Sequence, residues 1–260
     1  MKDNELCGWK FIWDGLKVKA DHGVGFILAP HIKLVDISQY LNARISSVKV
    51  KACGLRLNIT NIYAPTNTHS LSAKQLFYNK LRKTINEISK CNKFKSIVIG
   101  DANATIGMNT KNNGHCDCIL GSNNSNQVST NENGSYLLNF CLEKKLKIVN
   151  SFIKTKRIHR GTWTHPPTGI IKQLDYILTR KQIMKLITSC RAYKKHSEPF
   201  CTDHYLLAMT LKIPKELKQS LKIHVKTLKR EPKPIISCLR SDKVIMNKHT
   251  KEINRILSEA

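Results

Sequence analysis

Ser96-Ile97-Val98-Ile99-Gly100-Asp101-Ala102-Asn103 is the stretch on which the fold turns. A run this short and apolar, bounded by glycine, reads as a buried strand, and its end delivers the Asp101 carboxylate. Before it, residues 73–91 read as an amphipathic helix with Leu76, Phe77, Leu81, Ile85 and Ile88 on one face. Further upstream, residues 23–29, 45–53 and 55–63 are β-type runs rich in Val and Ile. Downstream, residues 104–134 are rich in Asn, Gly and Ser and read as a long surface loop, which at that length is either functional or partly ordered. A helix is expected over 135–146, then strands over 147–152, 174–178 and 205–213. Strands and helices interleave without a strict βαβ rhythm. The expectation is therefore an α+β fold with two packed mixed β-sheets flanked by helices, a four-layer α/β/β/α sandwich.

Composition narrows the partners. The 260 residues hold 44 Lys and Arg against 18 Asp and Glu, a net charge of +26. Such an excess favours polyanions, because each neutralised phosphate releases counterions. A shared coding bias towards Lys, Asn and Ile is the bland alternative. The nine cysteines are odd in number and scattered through a chain too long to need disulfide staples, so reduced thiols are expected. His115, Cys116 and Cys118 lie close together, but no Cys-x-x-Cys pair or second ligand pair accompanies them, which argues against zinc. No apolar run approaches membrane length. A soluble, intracellular protein with no membrane partner and no small-molecule cofactor is expected, nuclear if functional. After Ile213 the character changes: residues 214–260 carry 12 Lys and Arg against 5 Asp and Glu. They read as a basic linker or tail, partly helical at 248–257, beyond a domain spanning 1–213.

Four short signatures follow one another along the chain: Tyr63-Ala64-Pro65-Thr66, Gly100-Asp101-Ala102-Asn103, Thr162-Trp163-Thr164 with Gln173-Leu174-Asp175-Tyr176-Ile177-Leu178, and Thr202-Asp203-His204. Each alone reads as a turn or as surface chemistry. Together, each sits in or beside an apolar strand, where a sheet can present side chains to one shared cleft.

This ordered set resembles the endonuclease/exonuclease/phosphatase superfamily. Residues 161–178 carry a narrower resemblance, to the endonucleases of LINE/RTE-type non-LTR retrotransposons and to craniofacial development protein 2-like proteins. The similarity covers roughly residues 8–213. It implies hydrolysis of DNA phosphodiester bonds with Mg2+ or Mn2+, which suit carboxylate and phosphate oxygens. It also implies roles. Asp101 would orient and deprotonate the attacking water, and Asn103 would hold the water or the phosphate. His204 would donate to a phosphoryl oxygen, with Asp175 pairing with it and raising its pKa. Asp203 would belong to the metal environment, and Tyr63 would hydrogen-bond the phosphate. Lys154, Lys156, Arg157, Arg160 and Lys172 flank the third signature as a basic surface for the nucleic-acid backbone.

The family pattern begins with a strand ending in Asn, then a strand carrying a metal-binding Glu, and neither is found. Glu5 lies in a polar stretch with no β-run before it. The expectation is an amino-terminally truncated domain, short by roughly 30 to 50 residues. Two other readings therefore stand beside an active endonuclease. One is an inactive remnant that binds nucleic acid through its charge. The other is a phosphoinositide or sphingolipid hydrolase on the same fold.

Overall fold

The computed structural model describes residues 2–6, 8–15, 23–90, 93–107, 118–123, 129–194 and 202–213. The expected tail, 214–260, lies outside the described residues, as do His115 and Cys116. No described helix is long and apolar enough to cross a membrane.

The central sheet has six strands: β4 (Lys33–Asn42), β5 (Ile45–Ala52), β6 (Leu55–Tyr63), β7 (Lys95–Asp101), β11 (Asp175–Thr179) and β8 (Lys147–Ile148), hydrogen-bonded in that order. β6 and β7 run parallel and every other pair is antiparallel, so the sheet is mixed. A three-stranded sheet of β1 (Lys2–Leu6), β2 (Trp9–Gly15) and β3 (Gly23–Leu28) and a pair of β12 (Ile187–Tyr193) and β13 (Leu206–Leu211) form a second layer. A short hairpin joins β9 (Trp163–Thr164) to β10 (Ile171–Lys172).

Alternation along the central strands builds two cores at once. Val98 and Leu178 face helices α1 (Leu71–Ser89) and α2 (Glu132–Lys144), packing with Leu81, Ile85, Leu137 and Phe140. Their chain neighbours Ile97 and Ile177 face the second layer, packing with Ile12, Phe26, Ile187 and Cys190. Burial on both faces is why the central strand reads as an unbroken apolar run rather than an alternating one. The fold is thus α+β, with packed mixed sheets and flanking helices, as expected. Both long helices cover the same face. Over the second layer, no described helix exceeds the four residues of α3 (Val149–Phe152) and α4 (Lys181–Met184).

Several local expectations need correction. Leu76 is exposed, and Lys74 and Tyr78 share the buried face of α1 with Phe77, Leu81, Ile85 and Ile88. Ser70 caps this helix by accepting from the Ala73 N–H, so α1 begins earlier than its apolar face does. Beyond two residues of β8 the chain turns into α3, because the Asn150 side chain bonds Asp175 O and the Ile177 N–H, where a continuing strand would have paired. Glu5, read as lying in a polar stretch with no β-run before it, stands in a strand over residues 2–6 that pairs with β2 in a register that sets it opposite Lys10. Polar edge strands of this kind carry little periodic signal; their pairing is set by the neighbour.

Candidate active site

Strand register assembles the site. β6 and β7 run parallel with Tyr63 beside Asp101, and β11 returns antiparallel with Asp175 on the other side of Asp101. Three residues from three sequence signatures therefore lie in one row across the end of the sheet. Gly100 permits this. Its φ is +132°, and a Cβ there would sit 2.0 Å from the Ile62 carbonyl oxygen, so only glycine lets β7 approach β6 before the catalytic candidate.

Past the strand end, Asn103 adopts a left-handed backbone, φ +47°. Asparagine tolerates this region better than most residues. The turn places its N–H 2.7 Å from Asp101 Oδ1, and its side-chain amide donates to the Ala64 carbonyl at 2.9 Å. The loop after β6 and the loop after β7 are thereby tied together.

His204 arrives from the opposite side. A β-bridge pairs it with Trp163, and its Nδ1 lies 3.0 Å from Asp175 Oδ2. Thr162 fixes that aspartate from behind. Fully buried, its hydroxyl accepts from the N–H groups of Leu174 and Asp175, each at 3.0 Å. The Trp163 indole donates to Asp203 Oδ2 at 2.6 Å, so one carboxylate oxygen of Asp203 is occupied within the protein.

An open cleft of about 740 Å³ is lined by Tyr63, Asp101, Asn103, Trp163, Asp203 and His204, with Asn131 and Lys172 among its other walls. Asp175 is not part of the lining; it stands behind His204. Of the five basic candidates, only Lys172 reaches the cleft, its ammonium 6.0 Å from the Trp163 ring centre. Lys154, Lys156 and Arg157 are exposed on the segment leading to β9, away from the lining. Arg160 bonds the Thr155 carbonyl through two of its nitrogens and braces that segment.

Electrostatics shift Asp101 and His204 in the same direction. Burial and the neighbouring Asp175 push Asp101 up to about 7, against the lowering effect of the Asn103 N–H and His204. For His204, burial pulls downwards, but the hydrogen bond and charge of Asp175, with Asp101 and Asp203 nearby, outweigh it and raise its pKa. The cleft thus pairs a carboxylate poised near neutrality with an imidazole held towards its charged form. That combination can accept one proton and donate another.

Two aspartates lining the cleft, Asp101 and Asp203, form an oxygen-rich, negatively biased donor set that fits a hard divalent cation. Among the described residues no group of three or more His, Cys, Asp or Glu is placed to enclose a metal. The fit is to an ion that keeps much of its water and takes few protein ligands, as Mg2+ does. Asp203 is the residue that would hold it.

Some of this geometry was not legible as function. Thr162 and Trp163 belonged to a quoted signature without assigned roles. Asn131 and Asn133, which both donate to the Asn103 carbonyl, lay in what read as surface loop. Only the density of Asn there could have flagged them.

Among solved structures, the chain is similar to the endonuclease domain of TRAS1, a telomere-specific non-LTR retrotransposon, with a TM-score of 0.57, 14% identity and 81% of each chain covered. The chain shares the fold of endonuclease/exonuclease/phosphatase proteins. The 3' phosphatase NExo from Neisseria, bound to a product DNA hairpin, shares this fold at a TM-score of 0.57 and 14% identity, covering 79% of this chain and 80% of that one. An AP endonuclease from Archaeoglobus fulgidus does so at 0.52 and 18%, covering 78% and 79%. In sequence, craniofacial development protein 2 of Bos taurus is 26% identical over 187 residues, 72% of this chain. That of Tragulus javanicus is 25% identical over the same length. The match spans 30% and 31% of the length of these two relatives. No protein-family model matches the chain.

Proposed function

We propose that this chain is a divalent-metal-dependent endonuclease domain that hydrolyses DNA phosphodiester bonds, of non-LTR retrotransposon descent and acting in the nucleus. One observation carries the reading: register and loop geometry bring Tyr63, Asp101 and Asp175 into one row and set His204 on Asp175 at the mouth of a single cleft. The TRAS1 endonuclease and the DNA-bound NExo structure share the fold, and the cleft is flanked by the basic Lys172.

In this reading Asp101 takes the proton of the attacking water, a role suited to a carboxyl pushed up to about 7. Its Oδ1 is held by the Asn103 N–H, which leaves the other oxygen for the water. His204, whose pKa Asp175 raises, donates to a phosphoryl oxygen where negative charge develops. Tyr63 and Asn103 border the space for the phosphate. Mg2+ or Mn2+, held by Asp203, would stabilise charge on the phosphate and the leaving oxygen.

The test is incubation of the chain with supercoiled plasmid and Mg2+, beside EDTA and the Asp101→Ala and His204→Ala variants. Expected are nicks that vanish with EDTA and in both variants. A second reading, an inactive chain that only binds nucleic acid, is favoured by the lack of a three-ligand metal cluster among the described residues. Plasmid retarded on a gel in a salt-sensitive way, without nicks, would establish that reading instead.

A further inference from the structure

The amino-terminal turn of α2 grips the loop that carries the cleft's central carboxylate. Asn131, the N-cap of α2, uses both ends of its side chain. Its Oδ1 accepts from the Gly134 N–H at 2.7 Å and from the Thr105 N–H at 2.9 Å. Its Nδ2 donates to the Asn103 carbonyl at 3.2 Å. Asn133, fully buried, donates to the same carbonyl at 3.1 Å and to the Pro65 carbonyl at 2.8 Å. Asn133 Oδ1 has no hydrogen-bond partner, a cost that an apolar residue would not carry. Contact here leaves no slack: a Cβ on Gly134 would lie 2.2 Å from the Thr105 carbonyl oxygen.

Asn103 is thus held at both of its peptide groups. Its carbonyl is gripped by two asparagine amides, and its N–H points at Asp101 Oδ1. A left-handed, non-glycine residue is strained and persists where its surroundings over-determine it. Resting on the endonuclease reading of the cleft, we infer that Asn131 and Asn133 are positioning residues of the reaction: they fix the left-handed Asn103 turn and through it the orientation of the Asp101 carboxylate. They act through Asn103. Their amides replace what a rigid backbone alone does not supply at a strand end.

Asn131 permits a test that separates positioning from stability. In Asn131→Asp the N-cap acceptor remains, but a charged oxygen replaces the donor to the Asn103 carbonyl at the cleft wall; Asn131→Ser removes the donor without adding charge and is the variant that decides. Plasmid nicking with Mg2+ should show kcat lowered about 10- to 100-fold with KM changed less than about twofold, the signature of a displaced catalytic group. The melting temperature should fall by no more than about 3 °C. In the 15N-labelled full chain, the Asn103 amide proton should move upfield as its bond to Asp101 loosens. Asn131→Ser keeps a cap oxygen, lacks the amide, and should repeat all three results. Wild-type kcat with an unmoved Asn103 amide in Asn131→Ser overturns the inference. A wild-type chain that does not nick removes the endonuclease reading, and the amide shift then decides by itself whether α2 sets the Asn103 turn.

Discussion

Asp101 is held at a cost to the fold. The unfolded chain loses this proton near the ordinary carboxylate value of 3.8, and the folded chain near about 7. The raised folded value means that the stability contributed by this group is complete below about pH 4 and is lost as the pH rises to about 7. The loss is on the order of 2–4 kcal/mol. Asp101→Asn abolishes the charge and keeps the acceptor for the Asn103 N–H. Calorimetry without divalent ions should find the variant more stable than the wild type at pH 8, with the difference shrinking towards pH 4. Parallel melting curves at both pH values would show that the carboxylate is not strained. For His204 the raised pKa works the same way: its contribution is complete below the ordinary imidazole value of 6.5 and is lost as the pH rises through the folded value. Asp175→Asn should lower the His204 titration followed by imidazole NMR, and should move the alkaline limb of nicking to lower pH. An unshifted imidazole would mean that Asp175 does not control it.

At the scale of elements, the site hangs on strand ends more than on helices. β7 was legible because its apolar residues serve two cores, and Asp101 was legible because it ends that run. β9 and β10 were not legible as strands. Two residues each give no period to detect, and their pairing depends on the bridge from Trp163 to His204, forty-one positions further along the chain. Thr162, at the head of β9, is the pin between these elements. Thr162→Val preserves its shape and leaves the Leu174 and Asp175 N–H groups without their acceptor. About 2–4 kcal/mol of stability should be lost, read as a lower urea midpoint at unchanged m-value. A midpoint within error of the wild type would show that the β10–β11 junction is fixed by other contacts.

For the whole molecule, charge and geometry divide the work. The net charge of +26 is spread along the sequence, whereas the cleft is lined by two aspartates, Asp101 and Asp203. DNA retention should therefore weaken steeply with salt. On a log–log plot, Lys172→Ala should reduce the slope by about one, since Lys172 is the basic candidate at the cleft. An unchanged slope would place the DNA track elsewhere on the surface.

The sequence by itself determined the α+β class, the central buried strand and the four signatures, because apolar periodicity and strand-end chemistry are local properties. It also placed Asp101 at a strand end, and through resemblance it named the roles of Asp101, Asn103, Asp175 and His204. Tertiary structure alone decided that Tyr63, Asp101 and Asp175 share one row, that Asp175 stands behind His204, and that Lys172 reaches the cleft while Lys154, Lys156 and Arg157 do not. It alone brought Asn131 and Asn133 onto Asn103. Register and loop docking depend on pairings between residues far apart in the chain, and no window of sequence contains both partners.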